Sequence, residues 1–186
     1  MKKTITIISI LIASAIIAFF WTKIDTAIEK KSHPVEHIEA VEKYADTYSV
    51  PKELIFAVIK TESKFKSDAV SAAGAIGLMQ ITPETFVWLC SKNSDTANDP
   101  NLLYTPEINI MYGVYYLDIL YSEFGSWQTA LAAYNAGPSR VREWLKNPEH
   151  SENGVLTNIP FSETREYIEK VLKAKDKYTE LYFENN

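Results

Sequence analysis

The sequence predicts an all-α domain behind an apolar N-terminal helix. Apolar residues recur at three- and four-residue steps in several segments, the period of a helix with one buried side. Thr-Pro-Glu and Ser stand where such segments start, and Gly where they stop. No convincing strand is present, although short apolar runs are ambiguous and a small hairpin in a loop would escape this reading. The chain has 186 residues, 46% hydrophobic and 23% charged, enough for one globular domain with a core.

The elements follow in order. Lys2 and Lys3 precede an uncharged apolar stretch, Thr4 to Trp21, near the lower length limit for a membrane-spanning helix. No small-x-small site closes it, so residues 1–21 are read as an uncleaved signal anchor, a cleaved signal peptide being the alternative. Either way the body is expected outside the membrane, single-pass if anchored. Residues 22–34 are charged and weakly patterned, a tether. The single domain is expected over 35–186.

Val35, Ile38, Val41, Ala45 and Tyr48 mark a first helix. Pro51 suits the first turn of a second, which carries Leu54 to Ile59 and reaches Glu62. Ser71 to Gly77 is small and flexible. Thr82-Pro83-Glu84 reads as cap, first-turn proline and first-turn acid of a helix through Phe86 to Leu89. Ser91 to Leu103 reads as a loop. Thr105-Pro106-Glu107 starts a long helix that Gly125 ends, and Ser126 caps a short one through Ala133. Gly137-Pro138 breaks the chain before a turn or two at Ser139 to Lys146. After a loop to Pro160, Ser162 caps a last helix with Tyr167, Ile168, Val171 and Leu172 inward.

Removing Lys2 and Lys3 from the 19 basic residues leaves 17 against 24 acidic ones, a formal −7. So acidic a body is a poor nucleic-acid binder, and long-range attraction to an anionic surface is not expected. Cys90 is the only cysteine, so no intrachain disulfide forms, and it reads as a buried structural thiol. His33, His37 and His150 show no metal spacing, and the pair His33 and His37, in a charged stretch, reads as solvated linker or helix residues; no metal or other cofactor is expected.

Glu62 is the informative residue. In a helix over Leu54 to Ser63, Ile55, Val58 and Ile59 share its side. A carboxyl on that stripe faces the core edge, where desolvation disfavours its charged form and raises its pKa. A carboxylic acid still protonated near neutral pH serves as a general acid. Asp68, nearby in a polar stretch, reads as a surface residue.

Several segments then match one pattern: Glu62-Ser63-Lys64-Phe65; Gly74-Ala75-Ile76-Gly77-Leu78-Met79-Gln80-Ile81-Thr82-Pro83; Asn109-Ile110, Gly113 and Tyr116-Leu117; Ala133-Tyr134-Asn135-Ala136-Gly137-Pro138; and Ile159-Pro160-Phe161-Ser162-Glu163-Thr164-Arg165. Together they resemble the lytic transglycosylase domain of the soluble lytic murein transglycosylase type, over about Val41 to Lys173. The resemblance implies an α fold of the lysozyme-like (α+β) superfamily and cleavage of the MurNAc–GlcNAc β-1,4 bond of peptidoglycan strands. It implies Glu62 as the catalytic acid, with Ser63 supporting its helix end. It places Ser71 near acid or substrate, Gln80 on the sugar's N-acetyl group, Tyr134 and Asn135 in the cleft, and Glu163 as a second cleft acid. Relatives often have methionine or another apolar residue at the position of Thr82, a departure in one subsite wall. Trp88, Trp127 and Trp144 read as core aromatics ahead of sugar platforms. A goose-type hydrolytic lysozyme and a noncatalytic glycan-binding module are the competing expectations.

Overall fold

The core is built around a helix that is apolar on every side. The computed structural model describes Ser14, Trp21, residues 23–96 and residues 98–184. The expected anchor, residues 1–21, lies outside these except for Ser14 and Trp21. Among the described residues no helix is long and apolar enough to cross a membrane.

Residues 23–32, within the expected tether, form helix α1. The segment after it is pinned to the body: Tyr178 donates to the Pro34 carbonyl at 2.8 Å and Tyr182 to the His33 carbonyl at 2.9 Å. His33, expected to be solvated, packs edge-on against the Tyr178 ring. Helix α2 (Ile38–Tyr48) starts three residues later than the periodicity suggests, because His37 and the turn before it leave the helical region. Helix α3 (Lys52–Glu62) follows, and every residue from Leu54 to Ile59 is fully buried. Such a helix must be enclosed by others. It packs most extensively against the last helix, α8 (Ser162–Tyr178).

Between them come α4 (Pro83–Lys92), a 3₁₀ turn (Pro100–Tyr104), α5 (Pro106–Phe124), α6 (Trp127–Ala136) and α7 (Pro138–Lys146). The Thr82 cap is present, its hydroxyl accepting from the Thr85 N–H at 3.2 Å. The 3₁₀ turn occupies the end of the stretch expected as a loop and runs one residue past it, with the Asp99 carboxyl capping it. Gly125, in the left-handed conformation, ends α5 as expected. Ser162 is not a cap: it is the first residue of α8, and Phe161 holds the cap position without a side-chain bond. Ser126 holds the cap position of α6, also without a side-chain bond, and α6 runs on to Ala136. A two-stranded antiparallel hairpin, β1 (Ser151–Glu152) and β2 (Val155–Leu156), occupies the loop after α7. Its turn is Asn153-Gly154, both at positive φ, the preferred chemistry of a two-residue hairpin.

One buried side chain fastens the loop between α3 and α4. Asn109 on α5 is fully buried. Its amide nitrogen donates to the Ile76 and Leu103 carbonyls, both at 2.9 Å, and its oxygen accepts from the Met79 N–H at 2.7 Å. Gly77, at φ 79°, lies so close that any side chain there would overlap Asn109. Gly113, one turn further along α5, leaves the space that the Met79 side chain fills. Asn109→Ala strands three buried backbone groups, each costing roughly 1–3 kcal/mol. Urea unfolding of this variant should show a loss of about 3 kcal/mol or more, with the slope unchanged.

Candidate active site

Glu62 is the last residue of α3. Immediately after it, Lys64 and Phe65 both adopt positive φ, which turns the chain back and returns Phe65 to the core beside Phe56. Buried Ser63 reinforces the helix end by donating from Oγ to the Ile59 carbonyl at 3.2 Å. The reversal leaves the Glu62 side chain half-buried against α8 and α6. Burial pushes its pKa up to about 7, an interaction with the Tyr167 side chain partly offsetting the rise. The negative end of the α3 dipole acts in the same direction as burial.

Tyr167 is the residue that sequence reasoning missed. Its inward position on α8 was expected, but as core. It is 7% exposed, and burial, joined by the charge of Glu62, raises its pKa well above the ordinary value, so it remains a neutral phenol. Its hydroxyl faces the Glu62 carboxyl, yet no atom among the described residues completes a hydrogen bond of good geometry with it. A buried polar group left in that condition calls for a partner. A polar residue in an otherwise apolar inward stripe is the signal that points to it.

Tyr134, on α6, is likewise held neutral by burial and by the charge of Glu62. Its hydroxyl donates to the Met79 carbonyl at 2.7 Å, so it braces the loop beside the acid. Its ring lies 5.2 Å from that of Tyr116, which Trp88 meets edge-on at 6.1 Å. Trp88, expected in the core, is 40% exposed, while Trp144 is buried and Trp127 stacks on Tyr121. The row Trp88, Tyr116, Tyr134 thus runs from the surface toward Glu62.

The other site candidates divide. Ser71 is exposed, and its Oγ accepts from the Ala75 N–H at 3.0 Å, closing the glycine loop. Gln80 is half-buried at positive φ, its amide nitrogen donating to the Ala69 and Gly77 carbonyls. Both bonds use nitrogen, which leaves the oxygen for a ligand. Asn135 is exposed and accepts from Thr164 at 2.8 Å, tying α6 to the start of α8. Glu163 is exposed in the first turn of α8, four residues before Tyr167 and on the same side of the helix. Asp68 is exposed, as its polar surroundings suggest, and Cys90 is buried.

Residues 39–156 match the model of the transglycosylase SLT domain. Soluble lytic murein transglycosylase of Escherichia coli (strain K12) is 38% identical over 149 residues, covering 78% of this chain and 23% of that protein. Membrane-bound lytic murein transglycosylase C of Actinobacillus pleuropneumoniae is 32% identical over 166 residues, covering 77% of this chain and 46% of the relative. The crystal structure of the 70 kDa soluble lytic transglycosylase of Escherichia coli superposes with a TM-score of 0.76 at 34% identity, over 85% of this chain and 26% of the other. The chain therefore spans about a quarter to a half of the length of the curated relatives it matches.

The raised pKa of Glu62 has a consequence for stability. The folded state holds the proton up to about pH 7, whereas the unfolded chain releases it near 4.5. Between these values the folded state binds more protons, so stability falls as pH rises. The loss is on the order of 3 kcal/mol once both states are ionised. Glu62→Gln removes it: thermal unfolding should show the variant more stable than wild type above pH 7, with the gain vanishing below about pH 4.5.

Proposed function

Since this chain belongs to the transglycosylase SLT domain family, we propose that it is a peptidoglycan lytic transglycosylase using Glu62 as its single catalytic carboxyl group. The observation that carries the reading is a half-buried carboxyl whose pKa burial lifts to about 7 and a tyrosine partly restrains, with no second carboxylate acting on it among the described residues. Most glycosidases employ two carboxylates, one on each side of the bond. A lone acid fits a reaction in which the substrate supplies the nucleophile.

Glu62 protonates the oxygen that joins MurNAc C1 to GlcNAc, and that bond breaks. The positive charge growing at C1 is stabilised by the carbonyl oxygen of the neighbouring N-acetyl group. Glu62, now a carboxylate, accepts the proton of the muramyl C6 hydroxyl as that oxygen bonds to C1. A 1,6-anhydromuramyl end results, Glu62 is reprotonated, and no water is consumed. A group that must give and take a proton works best with a pKa near ambient pH.

The remaining roles follow from placement. The Tyr167 hydroxyl hydrogen-bonds the Glu62 carboxylate while it waits for the second proton, which is the partner its buried position lacks. Tyr134 shapes the cleft floor through Met79, and the row of Tyr116 and Trp88 offers rings for sugar stacking. Gln80 presents its oxygen to the acetamido N–H, Ser71 holds the loop beneath it, and Asn135 and Glu163 line the rim. Residues 1–21 anchor the chain in the membrane with residues 35–186 as the catalytic domain on the wall side. The membrane-bound name of one relative supports that placement.

Two experiments test the reading. On purified sacculi, mass spectrometry should find anhydromuramyl ends with wild type. Glu62→Gln should lose at least roughly a hundredfold in rate while still binding glycan. Reducing ends from wild type would instead indicate a hydrolytic lysozyme, and full activity of the variant a noncatalytic role for Glu62. In the second, Tyr167→Phe removes the interaction that lowers the Glu62 pKa. Cleavage requires the protonated acid, so the alkaline limb of its pH–rate profile should move to higher pH while kcat falls. An unmoved limb would remove Tyr167 from contact with the acid.

A further inference from the structure

The acidic composition conceals a basic pocket. The end of α1, the end of α3 and the outer side of α8 enclose a cavity of about 440 Å³. Lys60, Lys64, Lys170, Lys173 and Lys177 line it, with Glu29 as the one acid among its lining residues. Lys60 lies in the last turn of α3 and Lys64 in the chain reversal just beyond it. On α8 the three stand at intervals of three and four, one side of the helix. The body carries a formal excess of acid, yet the lining of this cavity holds five amines against one carboxyl group.

These amines are incompletely compensated. Lys60, half-buried, donates to the Ser32 carbonyl at 2.7 Å, a neutral acceptor, and burial lowers its pKa. Lys170 and Lys177 pair with Glu166 at 3.5 Å and Glu180 at 2.9 Å, acids that are themselves well exposed, so water weakens both pairs. Glu29 acts on Lys60 and Lys177, and Asp25 on Lys177, through charge, while Lys64 and Lys173 have no ion pair among the described residues. Lysine alone lines the cavity as a cation, without the planar fork of arginine, which suits a phosphate met as a point charge.

Position identifies the phosphate's source. Asp25 lies close enough for its charge to act on Lys177, so α1 runs beside the basic side of α8. Ten helical residues span about 15 Å, which puts the pocket within that distance of the end of the apolar segment 1–21. A headgroup layer begins at that end and extends outward by roughly 5–7 Å, and lysine side chains reach toward it. We propose that this pocket binds the phosphate headgroups of anionic phospholipids and holds the domain against the membrane surface. The inference rests on the anchor reading of residues 1–21. Because α3 and α8 also carry Glu62 and Tyr167, docking through the lysines sets the height and tilt of the cleft above the membrane.

The test uses the full chain incorporated into phosphatidylcholine nanodiscs with and without phosphatidylglycerol, and amine-labelling rates read lysine by lysine by mass spectrometry. Lys64, Lys170, Lys173 and Lys177 should label at least roughly threefold more slowly in the anionic discs, and the protection should disappear at high salt. Lys92 and Lys146, outside the pocket, should label equally in both. In a Lys64→Gln, Lys173→Gln, Lys177→Gln variant the protection of Lys170 should be lost. Equal rates in the two discs would overturn the proposal while leaving the anchor intact. Stronger protection by inorganic polyphosphate in neutral discs than by phosphatidylglycerol would also overturn it, assigning the pocket to a soluble phosphate polymer. Failure of the chain to incorporate into neutral discs would instead overturn the anchor reading, and the proposal with it.

Discussion

The structure depends on keeping one carboxyl group out of water. Glu62 ends a helix in which Leu54 to Ile59 are completely buried, so its side chain emerges where the core meets the surface. Helix α8 closes over it from one side and α6 from another. Their tyrosines, Tyr167 and Tyr134, are neutral phenols that face the acid without charging it. Desolvation alone would raise a carboxyl pKa anywhere in a core. Here it is set against a single polar contact, which leaves the group near neutrality instead of permanently protonated.

Holding that balance requires a rigid floor, and Asn109 and Met79 supply it. The loop between α3 and α4 has little regular structure: an isolated pairing of Ile76 with Ile81 and Val70, and glycines. It is fastened by bonds that converge on the Met79 backbone, its N–H on Asn109 and its carbonyl on Tyr134. Tyr134 therefore links α6, the loop and the neighbourhood of Glu62 in one side chain. Under the proposed function, a sugar ring bound over this floor would meet groups already in place, and orientation would then cost little at the moment of reaction.

Much of this was legible in the residues. The apolar stripe of α3 located Glu62, and Thr82-Pro83-Glu84 and Gly125 placed helix ends, because such signals act within one or two turns of chain. Contacts between distant segments were not legible in the same way. Tyr167 read as core because its stripe says only that it points inward, not that a carboxyl 105 positions earlier lies opposite. Asn109 stood in a recognisable motif, but its three partners come from loops whose path periodicity does not describe. The lysines of α3 and α8 are unremarkable singly, and total charge suggested the opposite character for the surface they form. Trp88 shows the limit from the other direction: a helical aromatic beside Leu89 gives no sign that its side remains uncovered. The hairpin was an oversight of local chemistry, since Asn153-Gly154 is a turn signal in its own right.

The most direct test of the account is a titration of Glu62 itself. With the glutamate side chains carrying ¹³C at the δ-carbon, and Glu62→Gln used to assign the resonance, NMR follows its protonation in the folded protein. The account predicts a midpoint near pH 7. A midpoint at the ordinary carboxylate value, near 4.5, would show that the group is solvated and ionised at working pH, and the single-acid chemistry would lose its proton donor.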